Sequence, residues 1–254
     1  MPAPRKAALR RRAVEDTIAR AKGGCLVMQF FVSGFTVLVF LLSSAAQAPL
    51  PVEKESHHRV VIENAYVRVF DIILAPGEAT LDHAHTRDAL QVIIGPSIMR
   101  VEVVGKPPVD VPEGRPGDVG FVAFSRTPLT HRMKNVGTST LHIIEVEIFS
   151  PSPVPPQTPF QQESSNYKQV LDNERVRVFR RVLPPGDSTS VHTHQRPMLG
   201  ISVTGGSQVY QTPGQPPRSA EVAPATISWP QVPFTHSFKN VGSTVVIAVD
   251  VELK

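Results

Sequence analysis

Gly77-Glu78-Ala79-Thr80-Leu81-Asp82-His83-Ala84-His85 and Gly186-Asp187-Ser188-Thr189-Ser190-Val191-His192-Thr193-His194 are two copies of one arrangement: a glycine, five residues, then His-x-His. Each copy is followed by a second motif, His131-x3-Asn135 after the first and His236-x3-Asn240 after the second. The His-x-His pairs are displaced by 109 residues and the later histidines by 105, so one unit stands duplicated, with one copy four residues shorter between its motifs. Six of the nine histidines fall in this pattern, which is hard to explain as independent core or surface residues and points to metal chemistry.

Outward from the histidines the repeat continues. Glu63-Asn64-Ala65-Tyr66-Val67-Arg68-Val69-Phe70 aligns with Asp172-Asn173-Glu174-Arg175-Val176-Arg177-Val178-Phe179, Pro76-Gly77 with Pro185-Gly186, and Lys134-Asn135-Val136-Gly137 with Lys239-Asn240-Val241-Gly242. The expected domains are residues 56–150 and 163–254, joined by a proline-rich linker over 151–162 that cannot supply regular ladder donors.

The chain carries 25 prolines and 16 glycines in short turn-like groups, a composition that favours many short strands over long helices. Alternation around Val67-Arg68-Val69 and Val176-Arg177-Val178, and apolar runs such as Leu141 to Phe149 and Val245 to Leu253, read as strands. The expected class is all-β, two small sandwiches or barrels in tandem.

Residues 1–48 differ from the rest. Seven basic side chains against two acidic ones give residues 1–24 a net charge of +5, residues 25–48 carry none, and of the chain's +4 the remainder therefore carries −1. That body has no global basic field to attract nucleic acid. The basic stretch, apolar Leu26 to Leu42 and small residues at 43–48 read in that order as a secretory signal peptide, cleaved after Ala46 or Ala48. The expected location is periplasmic or secreted. An uncleaved leader anchoring the protein in the membrane is the alternative. The one cysteine, Cys25, lies in this leader, so the body holds no internal disulfide.

In a strand, residues i and i+2 point to the same face, so His83 with His85, and His192 with His194, can converge on one ion, and a third histidine from a distant strand can complete the set. Neutral imidazole suits Fe, Mn, Zn, Ni or Cu. On these motifs the chain resembles the cupin superfamily, in particular small two-domain bicupin proteins. Gly77, His83 and His85, and Gly186, His192 and His194, match the family's first motif, while Pro128, His131 and Asn135, and Pro233, His236 and Asn240, match part of the second. The resemblance implies two tandem jelly-roll β-barrels after the hydrophobic leader. It also implies a divalent metal at His83, His85 and His131 and at His192, His194 and His236, and leaves a homo-oligomer open.

The departures bear on function. The family places a glutamate four or five residues after the second histidine, where this chain has Ala89 or Leu90 and Met198 or Leu199. Asp88, one residue early, is a candidate fourth ligand, and its counterpart Pro197 cannot coordinate. Chemistry is therefore expected at the first site, with the second structural or vestigial. Arg87 and Arg196 align and are candidates for a substrate carboxylate or for surface ion pairs. Asn135 and Asn240 are read as turn supports near the third histidine. Phe121, Phe124 and Phe149, and Trp229, Phe234 and Phe238, are read as core, with a pocket lining as the alternative. His57, His58 and His142 are read as solvent-exposed or structurally bonded.

No Gly-x-Ser-x-Gly, phosphate loop or zinc finger is present, and no catalytic acid or base is identifiable. Two functional readings stay open. One is a metal-dependent enzyme, a dioxygenase or a lyase or isomerase, acting on a small organic molecule. The other is a non-catalytic module of the cell envelope that binds a small ligand or metal.

Overall fold

The computed structural model describes residues 49–152 and 166–254. The leader, most of the proline-rich linker and the first residues of the second expected domain lie outside the described residues.

The first half holds β1 (Leu50–Pro51), β2 (His58–Glu63), β3 (Val67–Leu74), β4 (His83–His85) and β5 (Ala89–Gly95). It continues through β6 (Met99–Val103), β7 (Val109–Val111), β8 (Val119–Val122), β9 (Leu129–Asn135) and β10 (Leu141–Ile148). The second half holds β11 (Tyr167–Asp172), β12 (Val176–Leu183), β13 (His192–His194), β14 (Met198–Ser202) and β15 (Gly206–Gln211). It ends with β16 (Arg218–Val222), β17 (Ile227–Ser228), β18 (Phe234–Asn240) and β19 (Val246–Leu253). The described residues are thus all-β apart from one 3-10 turn at Val52–Lys54.

Strand order exposes the duplication. In the first half the sheets run β1-β4-β9-β6-β7 and β2-β3-β10-β5-β8; in the second they run β13-β18-β15-β16 and β11-β12-β19-β14-β17. Each strand of the second half has a counterpart at the same place in the first, and β1 alone is unmatched. It pairs in parallel with β4, Leu50 opposite His83, so the first half includes residues ahead of its expected start at 56.

The two-residue period of the strands assigns each face a task. On β3, Val67 and Val69 belong to one cluster, whereas Phe70, Ile72 and Leu74 belong to another with Met133 of β9 in the facing sheet. On β10, Ile144, Val146 and Ile148 join the first cluster, and Leu141 and Ile143 the second. The first cluster also contains Val176, Val178, Leu199, Ile201, Val249 and Val251, so it is a core shared by the two halves. This is why β3, β10, β12 and β19 bury side chains on both faces: one face packs on its own partner sheet, the other on the opposite half. Arg175 adds a polar tie across the same boundary, donating to the Ile148 carbonyl at 3.2 Å.

Turn chemistry fixes the ends of the histidine strands. Asn135 is fully buried; its amide donates to the Leu74 and Ser139 carbonyls, both at 2.8 Å, and its oxygen accepts from the Gly137 amide and the Ser97 hydroxyl. Asn240 repeats the pattern with Leu183, Thr244 and Gly242. The asparagine four residues after each third histidine is thus a turn brace that anchors the histidine strand to the end of a central strand. Asn135→Ala would strand several buried polar groups at about 1–3 kcal/mol apiece. A loss of ~3 kcal/mol or more in the urea unfolding free energy is expected, and a loss below 1 kcal/mol would contradict the brace.

Candidate functional site

Register brings the first cluster together. His83 lies directly opposite His131, and His85 two residues along on the same face. The imidazole centroids of His83, His85 and His131 lie 4.8–5.0 Å apart, and the Nε2 atoms of His83 and His85 are separated by 3.0 Å. Nitrogens bound to one ion at about 2.1 Å and at right angles stand roughly 3.0 Å apart, so this spacing is that of two ligands facing a shared centre.

A fourth ring completes the group. His58, at the start of β2 in the opposite sheet, packs 4.4 Å from His83 and 5.9 Å from His85, centroid to centroid. It is 2% exposed and bonded to Glu55, so of the two expected readings solvent exposure fails and structural bonding holds. His58, His83 and His85 bring a ligand nitrogen each within 4.8 Å of one another. Neither nitrogen of buried His131 has a partner among the described residues, nor does Nε2 of His58. The grouped nitrogens of His58, His83 and His85, with the unpartnered ring of His131 packed against His83 and His85, fit a divalent first-row ion.

The surrounding groups select the tautomer. His83 Nδ1 lies 2.8 Å from the Leu81 carbonyl, which can only accept, so Nδ1 carries the hydrogen and Nε2 is left as the ligand atom. His58 Nδ1 lies 2.7 Å from Glu55, turning its Nε2 inward in the same way. Burial pushes the Glu55 carboxyl up, but hydrogen bonds from His58, the Leu81 amide and His57 outweigh it and hold the group ionised well below the usual carboxylate range. His85 Nδ1 stands 3.4 Å from the buried Glu145.

The second cluster shares this plan with different neighbours. His192 faces His236 across the β13–β18 ladder, their Nε2 atoms 2.8 Å apart, and His192, His194 and His236 form a metal-ligating group, all buried. His192 Nδ1 lies 2.9 Å from the Ser190 carbonyl and His194 Nδ1 3.2 Å from Glu252, again leaving Nε2 for an ion. The place of His58 is taken by Tyr167, whose hydroxyl donates to Asp250 at 2.8 Å, and that of Ile72 by Arg181. A cavity of about 390 Å³ opens here, with Arg181, Gln208, Tyr210, Trp229, Phe234 and His236 in its wall. This is the volume of an ordinary small-molecule pocket.

Burial keeps these rings neutral. It lowers His85 to about 3, aided by the charges of His83 and His58, and His192 to about 4. It also lowers His83, His131 and His236, the last two further disfavoured by neighbouring imidazoles. An ion binding these five rings near pH 7 therefore displaces no protons from them.

Other expected site residues lie elsewhere. Asp88 is not in the imidazole group: its carboxylate accepts from the Ser125 amide at 3.0 Å and hydroxyl at 2.5 Å and lies 3.3 Å from Arg175. It sits just before β5, where the chain faces the second half, and is spent on that boundary. Arg87 lies over the Phe149 ring at 4.3 Å and is exposed. Arg196 is buried, with Nη1 3.4 Å from the Leu253 carbonyl, and is absent from the cavity wall. Phe124 stacks on His85 at 4.7 Å, while Trp229, Phe234 and Phe238 line the cavity. The residues missed in the sequence are His58, Glu55 and Arg181. The signal was the 109-residue offset itself, which places His58 against Tyr167 and Ile72 against Arg181.

No family model and no curated protein sequence matches the chain. Solved structures do. YhaK from Escherichia coli aligns with a TM-score of 0.53 at 13% identity, covering 77% of this chain and 88% of that one. AerE from Microcystis aeruginosa aligns at 0.50 and 11%, covering 81% and 98%. A variant of oxalate decarboxylase from Bacillus subtilis aligns at 0.54 and 13%, covering 78% and 72%. Fold and site together define an all-β, two-domain protein with a buried imidazole cluster in each half. Its fold is the one shared by these solved structures, in keeping with the two-domain cupin resemblance of its motifs.

Proposed function

We propose that this protein is a metal-dependent enzyme acting on a small organic molecule at the second cluster, while the first cluster holds its ion in a closed set of imidazoles. The observation that carries this reading is the exchange of the imidazole of His58 for the phenol of Tyr167 in a half whose cavity reaches His236. In the first half a fourth imidazole, braced by Glu55, fills the position that a substrate or water would need. The second half has three histidines, a tyrosine rather than a fourth imidazole on β11, with its hydroxyl bonded to Asp250, and open volume reaching His236. Four protein ligands suit a structural ion, whereas three with an open position suit a catalytic one. This reverses the expectation that chemistry sits in the first half, which depended on Asp88 as a ligand.

His192, His194 and His236 would hold the ion, which supplies Lewis-acid polarisation of a bound oxygen or activation of O₂. The protein's own part is positional. The Ser190 carbonyl and Glu252 orient two of the rings. Tyr210, Trp229 and Phe234 supply an apolar wall that excludes water from the ligand. Burial and Asp250 push the Tyr167 hydroxyl well above its ordinary pKa, so it remains a proton donor to Asp250 rather than a base. The likeness to an oxalate decarboxylase in fold supports metal-dependent chemistry of this general kind without selecting a reaction. Each half is further proposed to close as a jelly-roll barrel around its cluster, and the basic, apolar and small-residue order of residues 1–48 supports export.

The test is elemental analysis of the full chain beside an O₂-consumption and product screen over small organic acids and catechols. Wild type is expected to hold two equivalents of metal, and His83→Ala and His192→Ala one each, with turnover lost only in His192→Ala. Turnover that survives His192→Ala and disappears with His83→Ala would return the chemistry to the first half. A fully loaded protein without turnover would identify a binding module instead.

A further inference from the structure

Arg181 is a charged residue in a core position. Its counterpart Ile72 is completely buried among apolar side chains, and Arg181, on the same inward face of β12, is only 4% exposed. Neither its Nε nor its Nη1 has a hydrogen-bond partner among the described residues. A buried guanidinium with Nε and Nη1 unbonded is costly, and persistent unpaired donors mark a position where a further group belongs. Asp250 lies close enough to attract it electrostatically, but that carboxylate already accepts the Tyr167 hydroxyl. Arg181 lines the cavity.

The surroundings define what would fill the place. The guanidinium carbon lies 3.7 Å from the centroid of Phe238, and the His236 ring lies 4.7 Å from that same Phe238 centroid. Arg181 and a metal-ligating imidazole thus pack on one aromatic ring, within the span of a small molecule. Tyr210, Trp229 and Phe234 continue the wall, and Gln208 presents a buried amide oxygen with no donor among the described residues. The cavity therefore offers a planar cation able to form two parallel hydrogen bonds, flat apolar sides, and one acceptor for a ligand hydroxyl or amine hydrogen.

We propose that Arg181 is the anchor for the carboxylate of a small ligand with a planar, aromatic or unsaturated body, held against Tyr210, Trp229 and Phe238 with its far end toward the His192, His194 and His236 cluster. The inference rests on the second cluster being the working site and names the class of molecule it takes. It explains why an arginine stands where the first half has isoleucine: the charge is buried for a ligand, and the closed first half has no ligand to receive.

Trp229 is the only tryptophan in the chain and lines the cavity, so its fluorescence reads occupancy directly. The full chain, loaded with zinc, is titrated with benzoate and with benzamide, which share a ring and differ in charge. Benzoate is expected to shift Trp229 emission at concentrations about tenfold or more below benzamide, since charge-assisted hydrogen bonds are roughly twice as strong as neutral ones. Arg181→Met should abolish the preference while keeping its zinc, because isoleucine at the equivalent position shows that an apolar side chain fits that core. Arg181→Lys, which keeps the charge and loses the fork, should fall between them. Equal affinity of wild type for the two probes overturns the proposal, as does a preference that survives Arg181→Met. Failure of the functional reading appears separately, as a second cluster that takes up no zinc whether or not benzoate binds.

Discussion

Adding zinc to the metal-free protein is expected to raise its unfolding free energy by about 4 kcal/mol per site at a free metal concentration ~1,000 times the dissociation constant. The first site should respond more sharply to its surroundings, because its ligands come from two sheets. His83 and His85 lie on β4, His131 on β9, and His58 on β2 of the facing sheet, so an ion there ties the two layers together. Glu55 holds His58 through a 2.7 Å bond and also accepts from the Leu81 amide at 3.1 Å, two residues before the first ligand. Glu55→Gln keeps the shape and removes the charge that orients the imidazole. Outer groups of this kind typically change metal affinity by about 10–100-fold, or ~1.4–2.7 kcal/mol. Scanning calorimetry in zinc-buffered solution should therefore show Glu55→Gln losing much of the stabilisation contributed by the first site and keeping that of the second, whereas His58→Ala should lose more. A melting temperature unmoved by zinc in wild type would exclude both ions as structural elements. An unchanged first site in His58→Ala would remove His58 from the ligand set.

What the sequence disclosed follows from what a repeat preserves. The paired His-x-His motifs, the asparagine braces and the proline-glycine turns recur in both copies, and they pointed to an all-β fold and to five of the six histidines in the two metal-ligating groups, His131 packing against the first group by ring contact. The functional difference lies where the copies diverge in residue type: His58 against Tyr167 and Ile72 against Arg181. Neither pair forms a motif. Each becomes meaningful only once the pleat turns its side chain inward, and in β2 the register shifts between Val60 and Ile62, so alternation counted along the sequence does not predict which face His58 occupies. Asp88 misled for the opposite reason. Its spacing was close to a ligand position, but a position beside the strand faces the other half, and no sequence pattern records that the two halves share a core. Arg87 and Arg196 were equivalent in sequence and are not equivalent in space, one exposed over Phe149 and the other buried.

In the presence of a chelator, the fold is expected to fail in mild acid, well before its carboxylates are titrated. His83, His85, His131, His192 and His236 all have pKa values lowered by burial, His85 to about 3 and His192 to about 4. In the unfolded chain the same rings titrate near 6.5. Between those values the unfolded state binds more protons than the folded one, so stability is present above pH 6.5 and falls as the pH drops toward the folded values. A histidine lowered as far as His85 or His192 costs about 2 kcal/mol between pH 7 and pH 5, so these two alone would remove ~4 kcal/mol, a large part of the stability of many domains. Glu147 opposes this trend. Burial, against the pull of Arg68, raises it to about 7, so it contributes stability that is present at low pH and lost as the pH rises through that value. It is one group against five. Urea unfolding followed by circular dichroism at pH 7, 6 and 5 should give midpoints that fall steadily in chelator. Zinc should hold the midpoint up until protons displace it, because imidazoles bound to an ion cannot take up a proton until the ion leaves. Midpoints independent of pH from 7 to 5 in chelator would mean that the two clusters are open to water in the metal-free protein, and that the closed first site forms only around its ion.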